Sequence, residues 1–192
     1  MYKERNEKLR AEFIKSVANL DQGKLYDFDE SGIDLEISCE YGFAKKGKRL
    51  EVPRSGKRGE RLNILAARNC NNDLIYSKIY KSSIDKQIFK DYLKNELFPN
   101  IESGSYLILD NAKFHHDSKA EIADKNIETI ADIAKKFNIT LLYLPAYSPD
   151  LNPIEKKWAQ IKYWYRKWRN KYRDKRELIE MLLGIRENAS LV

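Results

Sequence analysis

The stretch "SYLILDNA", Ser105–Ala112, decides how this chain folds. Tyr106–Leu109 is a short, continuous apolar run with turn-forming residues on both sides. It is too short for a buried helix and reads as a strand covered on both faces. It closes on Asp110, and an aspartate there is costly to bury unless something pairs with it. "ITLLYLP", Ile139–Pro145, reads as a second buried strand. Between the two, "KAEIADKNIETIADIAKKFN", Lys119–Asn138, has a helical pattern with room for a break in its middle. Strand, helix and strand in this order predict a parallel pair with a crossover helix.

Upstream, "KLYDFDESG" alternates apolar and polar residues, which predicts a strand ending in a turn at Ser31–Gly32. "RLNILAARN" and "DLIYSKIYK" flank Cys70-Asn71-Asn72 and read as a hairpin. "DKQIFKDYLKNELF" is an amphipathic helix with Ile88, Tyr92 and Leu93 facing inward, ended by Pro99. Residues 153–170 and "KRELIEMLLGIREN" are helical by pattern. "KERNEKLRAEFIKSVANL" places Leu9, Phe13 and Val17 at helical spacing and suits a leader or linker helix more than a core element. The expected architecture is α/β, a mixed five-stranded sheet flanked by helices. It divides into a leader helix (1–22), a main domain (23–172) and a C-terminal helix (173–192).

The chain has 192 residues, a charged fraction of 34% and a net charge of +7. Such a balance favours an anionic partner, nucleic acid first, although a merely soluble basic surface reads the same way. Two regions concentrate the charge. The loop around Lys45, Lys46, Lys48, Arg49, Arg54, Lys57, Arg58 and Arg61 is a poor core element and a candidate phosphate clamp. The segment Lys156–Arg176 interleaves cations such as Lys156, Lys157, Lys162 and Arg166 with aromatic residues. Its apolar positions step by three or four, so most of its aromatics read as core and its cations as the DNA-facing candidates. Cys39 and Cys70 form no C-x-x-C pair, and two histidines are too few for a structural zinc site. A reducing, cytoplasmic setting is expected. The charged N-terminus is not a signal peptide, and no apolar run is long enough to cross a bilayer.

Three carboxylates stand where strands end or a helix begins: Asp29, Asp110 and Glu155. Ligands gather at the carboxyl ends of strands in sheets of this kind. An oxygen cage of two or three carboxylates suits hard divalent cations, Mg2+ or Mn2+. Two such ions about 3.5–4 Å apart support phosphodiester chemistry, so a basic protein with this cage is a nuclease or polynucleotidyl transferase candidate. Each residue also has a plainer reading. Asp29 and Asp110 could start turns. Asn152, Pro153 and Glu155 fit a helix capping box.

"FDESG", "LILDNAKFHH" and "LPAYSPDLNPIEKKW" together resemble the three catalytic blocks of DDE transposases, the insertion-sequence branch of the mariner-like superfamily. The resemblance runs from about Tyr26 to Trp158, and its last block is very specific. It implies a ribonuclease H-like fold for residues 23–172 and a catalytic, metal-binding triad of Asp29, Asp110 and Glu155 with two Mg2+ or Mn2+ ions. Asp27, on the same strand face, competes for the first place, while Glu30 points to the other face. Asn111 and His115 match the second block. His115 could orient a carboxylate, touch a phosphate or be an ordinary loop histidine, and His116 is expected to be exposed. Asn152 and Trp158 are supporting residues, Trp158 as a wedge one turn after Glu155.

The gap from Asp110 to Glu155 is longer than is usual in the superfamily, and the extra length falls in the helical stretch Lys119–Asn138. The resemblance further implies cleavage and strand transfer of double-stranded DNA at element ends and at a TA target, by a homodimer in a bacterial cell. Helix-turn-helix domains precede the catalytic domain in the family. The short stretch ahead of Tyr26 leads to the expectation of a separately encoded or truncated catalytic half. Two rivals stay open: a catalytically silent DNA-binding or inhibitory fragment, and a ribonuclease H-like nuclease with a cellular role. The Ser-Pro-x-Leu-Asn-Pro block disfavours the second.

Overall fold

A computed structural model of the chain describes residues 5–36, 43–49, 51 and 59–185. Strands β1 (Leu25–Asp34), β2 (Arg61–Arg68) and β3 (Leu74–Tyr80) are followed by β4 (Tyr106–Leu109) and β5 (Thr140–Tyr143). They form one five-stranded sheet in the order β3-β2-β1-β4-β5. The first three strands pair antiparallel, and β1, β4 and β5 pair parallel. The expected mixed sheet is therefore present, with β1 at its centre.

β1 does not stop at Ser31–Gly32. It runs on to Asp34 because Ser31, Gly32 and Ile33 lie opposite Ile64, Asn63 and Leu62 in the β2 ladder. Gly32 lacks the side chain that normally favours a strand, but a paired neighbour on β2 outweighs that local preference. Asp29 thus sits inside the strand and not at its end.

Period-two alternation divides the sheet between two cores. Phe28, Leu65, Ala67, Leu107 and Leu109 pack with α2 (Lys86–Tyr92) and α4 (Ile130–Lys136). Tyr92 and Leu93 are buried there as expected, while Ile88 is only half-buried and Phe89 takes the innermost place. On the other face Ile33, Leu62, Ile64 and Ala66 pack with α5 (Ile154–Trp168) and α6 (Lys175–Leu182). The stretch Lys119–Asn138 is broken into α3 (Lys119–Ala123) and α4, each opened by a capping box, at Ser118 and Thr129.

α1 (Glu7–Ala18) buries none of its expected apolar positions: Leu9 is exposed, and Phe13 and Val17 are half-buried. Arg10 is its buried residue, and its guanidinium forms a two-pronged pair with Asp150, at 3.0 and 2.6 Å. A helix whose buried residue is an arginine in a carboxylate fork has little apolar stripe to show in its sequence.

Candidate active site

The alternation of β1 sends Phe28 into the α2–α4 core and turns Asp27, Asp29 and Ser31 toward α5. Asp27 is buried in a salt bridge with Arg68. Burial pushes its pKa up, and the charge of Arg68 pulls it back without restoring the usual value. Asp29 is 7% exposed and accepts a hydrogen bond from Trp158 Nε1 at 3.1 Å. Trp158 therefore does more than wedge the helix, since its indole N–H fixes one oxygen of Asp29. Burial, followed by the negative charge of Glu155, pushes the Asp29 carboxyl up to about 7. The charge of Asp110 adds to this, and the Glu30 amide and Trp158 oppose it.

Asp110 leaves the end of β4 half-exposed, with Oδ1 accepting from the Ala112 amide at 3.0 Å. His115 Nδ1 lies 2.5 Å from the same oxygen and 3.3 Å from the Asp110 carbonyl. Both neighbours are acceptors, so Nδ1 carries the proton. Burial raises Asp110, but the hydrogen bond and charge of His115 outweigh it and leave the carboxyl below its usual range. The His115 ring is fully buried among Phe28, Phe89 and Phe114. Of its three sequence readings, the geometry matches the carboxylate-orienting one. His116, expected to be merely exposed, is half-buried: it stacks on Tyr143 and meets Asn111 Oδ1 at 2.6 Å.

Glu155 is exposed in the first turn of α5. The expected capping box is absent. Pro153 occupies the N-cap position, and no side chain caps the helix. Asn152 is extended and buried, with Nδ2 donating to the Phe28 carbonyl at 3.3 Å, and its own carbonyl accepts from the Glu155 amide at 3.2 Å. The tertiary contact engages only Nδ2, and Oδ1, the atom that would have capped the helix, is buried and reaches no donor among the described residues. Asn152 thereby ties the start of α5 to β1 beside Asp29, and Glu155 keeps its carboxylate for other work.

Asp110, Asn111, Pro145, Ser148, Asn152 and Glu155 share one groove of about 400 Å³. Glu155 also lines a second groove, of about 460 Å³, with Glu30, Arg61 and Lys162. The charges of Asp110 and Glu155 thus both act on Asp29, and a donor set of three carboxylates suits a hard cation. Among the described residues no three His, Cys, Asp or Glu side chains stand close enough to hold an ion as they are placed.

The sequence-expected cations are scattered. Lys45, Lys46, Lys48 and Arg49 are exposed around a turn at Gly47. Arg54, Lys57 and Arg58, like Cys39, lie outside the described residues. Lys162 and Arg166 follow Glu155 by two and three turns on the same face of α5, and Lys156 is exposed off that face. Lys157 lines a separate groove with Leu74, Trp164 and Leu182. Sequence reasoning missed the link of Glu30 to the site, where it feels the charges of His115, Asp110 and Arg61. Strand alternation carried the signal, because Glu30 shares the β1 face of Phe28, against which His115 packs.

Among the described residues no helix is long and apolar enough to cross a membrane. The fold is similar to that of a Mos1 transposase paired-end complex with left transposon end, with a TM-score of 0.59 and 16% identity over 94% of this chain and 58% of that one. It is equally similar to a Mos1 strand transfer complex, with a TM-score of 0.59 and 16% identity over 95% of this chain and 58% of that one. A mariner Mos1 paired-end complex with Mg gives the same TM-score and identity over 96% and 60%. At that identity the likeness is one of fold, and the fold is ribonuclease H-like. An uncharacterized protein, y4pE/y4sA of Sinorhizobium fredii (strain NBRC 101917 / NGR234), is 33% identical over 76 residues, which cover 38% of this chain and 46% of that protein. The chain thus spans under two thirds of the length of these relatives. The family described as DDE superfamily endonuclease matches residues 24–179. The chain belongs to the DDE superfamily endonucleases.

Proposed function

We propose that this chain is the catalytic domain of a DNA transposase and that Asp29, Asp110 and Glu155 are its triad. One observation carries the reading. Asp110 and Glu155 face a common groove, and both press electrostatically on Asp29, a buried carboxylate held by Trp158. Negative charge concentrated this way is stable only with a proton or a cation to balance it. The three side chains would hold Mg2+ or Mn2+, with exposed Glu155 the ligand most able to turn inward. When bound, two ions would activate the attacking oxygen and stabilise the leaving one. The chain's own residues do the positioning: His115 and the Ala112 amide orient Asp110, Trp158 orients Asp29, and Asn152 fixes the start of α5.

Double-stranded DNA is the substrate in this reading, first at the element's ends and then at the target. The Mos1 structures of like fold include paired-end complexes, and by that likeness two copies of this chain would act on two ends. A helix-turn-helix partner would supply end recognition. The test is nicking of end-bearing DNA by the full chain with that partner present. Nicking should require Mg2+ or Mn2+ and disappear in Asp110→Asn. Cleavage that persists in EDTA or in the variant would overturn the reading. DNA binding without metal-stimulated cleavage would instead support a silent or inhibitory fragment, a reading that draws on the open spacing of the carboxylates.

A further inference from the structure

Arg61 opens β2, and its guanidinium lies on the backbone of Gly32 in β1. A Cβ at Gly32 would stand 2.1 Å from Arg61 Nη2 and 2.3 Å from its Cζ. Glycine serves here for space: it lets a guanidinium lie low across a strand. Little else holds Arg61 there. Its Nη1 is 3.2 Å from each Asp34 carboxylate oxygen and its Nε 3.4 Å from Asn63 Oδ1. Arg61 and Asp34 are 42% and 54% exposed, so their pairing is weak and exchangeable.

The groove over which Arg61 lies also holds Ser31, Asn63 and Lys162, and it meets the Asp110 groove at Glu155. Lys162 follows Glu155 by two helical turns on the same face, roughly 10 Å along α5. Glu155 is thus a wall shared by two grooves, one facing Asp110 and the other facing two cations and Glu30. A polyanion crossing this wall meets repulsion from Glu155 and from Glu30, which lines the second groove beside Arg61. Arg61 and Lys162 are the charges in the second groove that offset it. A guanidinium fork can take two phosphate oxygens at once, and an ammonium adds a point charge.

We propose that the second groove seats a backbone phosphate of the DNA strand being cut, adjacent to the phosphate at the carboxylates. Arg61 and Lys162 bind it, and Gly32 is the clearance that Arg61 needs. This rests on the reading of Asp29, Asp110 and Glu155 as a strand-cutting site, and it adds the path of the strand.

The experiment titrates a fluorescein-labelled end duplex with the full chain and its partner, following anisotropy over a range of NaCl. Arg61→Ala and Lys162→Ala should each weaken binding about fivefold and lower the salt slope by about one. Gly32→Ala should reproduce Arg61→Ala while melting with the wild type, because the atoms it displaces are the free end of a flexible side chain. Single methylphosphonates, which remove one phosphate charge, then locate the seat. At one position near the cut, neutralisation should abolish the difference between wild type and Arg61→Ala. Unchanged affinity and slope in both alanine variants, or no position at which the difference vanishes, overturns the proposal. Asp110→Asn serves as the control for the underlying reading, since it should bind normally and not nick. If it nicks, the active-site reading fails, while the binding measurements still report on the seat.

Discussion

Asp29 carries a charge problem created by its neighbours, and that problem has a pH signature. Its carboxyl titrates at about 7 in the folded chain, against an ordinary value of 3.8. Between those values the folded chain keeps a proton that the unfolded chain has lost, so stability falls as pH rises from about 4 to about 7. The loss from this group alone is roughly 4 kcal/mol, an order-of-magnitude figure. Asp29→Asn removes the charge and keeps an oxygen for Trp158. Its melting temperature should exceed that of the wild type at pH 8 by several degrees, and the gap should close toward pH 4, as read by differential scanning fluorimetry. Mn2+ should narrow the gap at pH 8 by stabilising only the wild type. A wild type that gains on the variant as pH rises would refute this picture. Asp110 was legible in the sequence because an apolar strand closing on a carboxylate asks for a partner. That His115 could orient a carboxylate was among the readings of the sequence, but its enclosure by Phe28, Phe89 and Phe114 was not, since those residues come from three separate segments.

At the level of elements, the start of α5 and the end of β1 were both misjudged for the same reason. Asn-Pro-x-Glu is a strong local capping pattern, and Ser-Gly is a strong local stop signal. In each case a neighbouring strand fixed another geometry: the Phe28 carbonyl orients the Asn152 side chain through Nδ2, and the β2 ladder carries the strand through Gly32. Local rules lose where a buried backbone group would otherwise stay unpaired. Asn152→Ala should therefore cost about 1–3 kcal/mol, the penalty for orphaning the Phe28 carbonyl. It should also speed hydrogen exchange selectively in the first turns of α5. Uniform exchange along α5 with wild-type stability would show that the tie is unimportant. Strand β4 was legible for the opposite reason, because a continuous apolar run buried on both faces leaves little choice of environment, whereas β5, also read as buried, is an edge strand with Leu141, Leu142 and Tyr143 only half-buried.

Across the whole molecule, two apolar layers share one sheet, so neither can unfold without exposing strands that the other covers. Leu178 is fully buried under α6 against α5, and Phe89 is fully buried on the opposite face. Leu178→Ala should cost about 2–5 kcal/mol and Phe89→Ala about 3–5 kcal/mol. Each should shift a single cooperative transition, observed by near-ultraviolet circular dichroism and fluorescence together. Two separated transitions in Leu178→Ala would mean that α6 is a detachable appendage. Helices flanking the sheet were expected from the sequence, but alternation was read only in β1, so the division into two layers was not. The docking of α1 was not announced, because its buried residue is Arg10 and not an apolar one. That fork has a mechanical consequence. Arg10 grips Asp150 in the 3₁₀ turn Pro149–Leu151, immediately ahead of the Asn152 tie and of Glu155. α1 is therefore linked, through Asp150 and Asn152, to the start of the helix that carries Glu155.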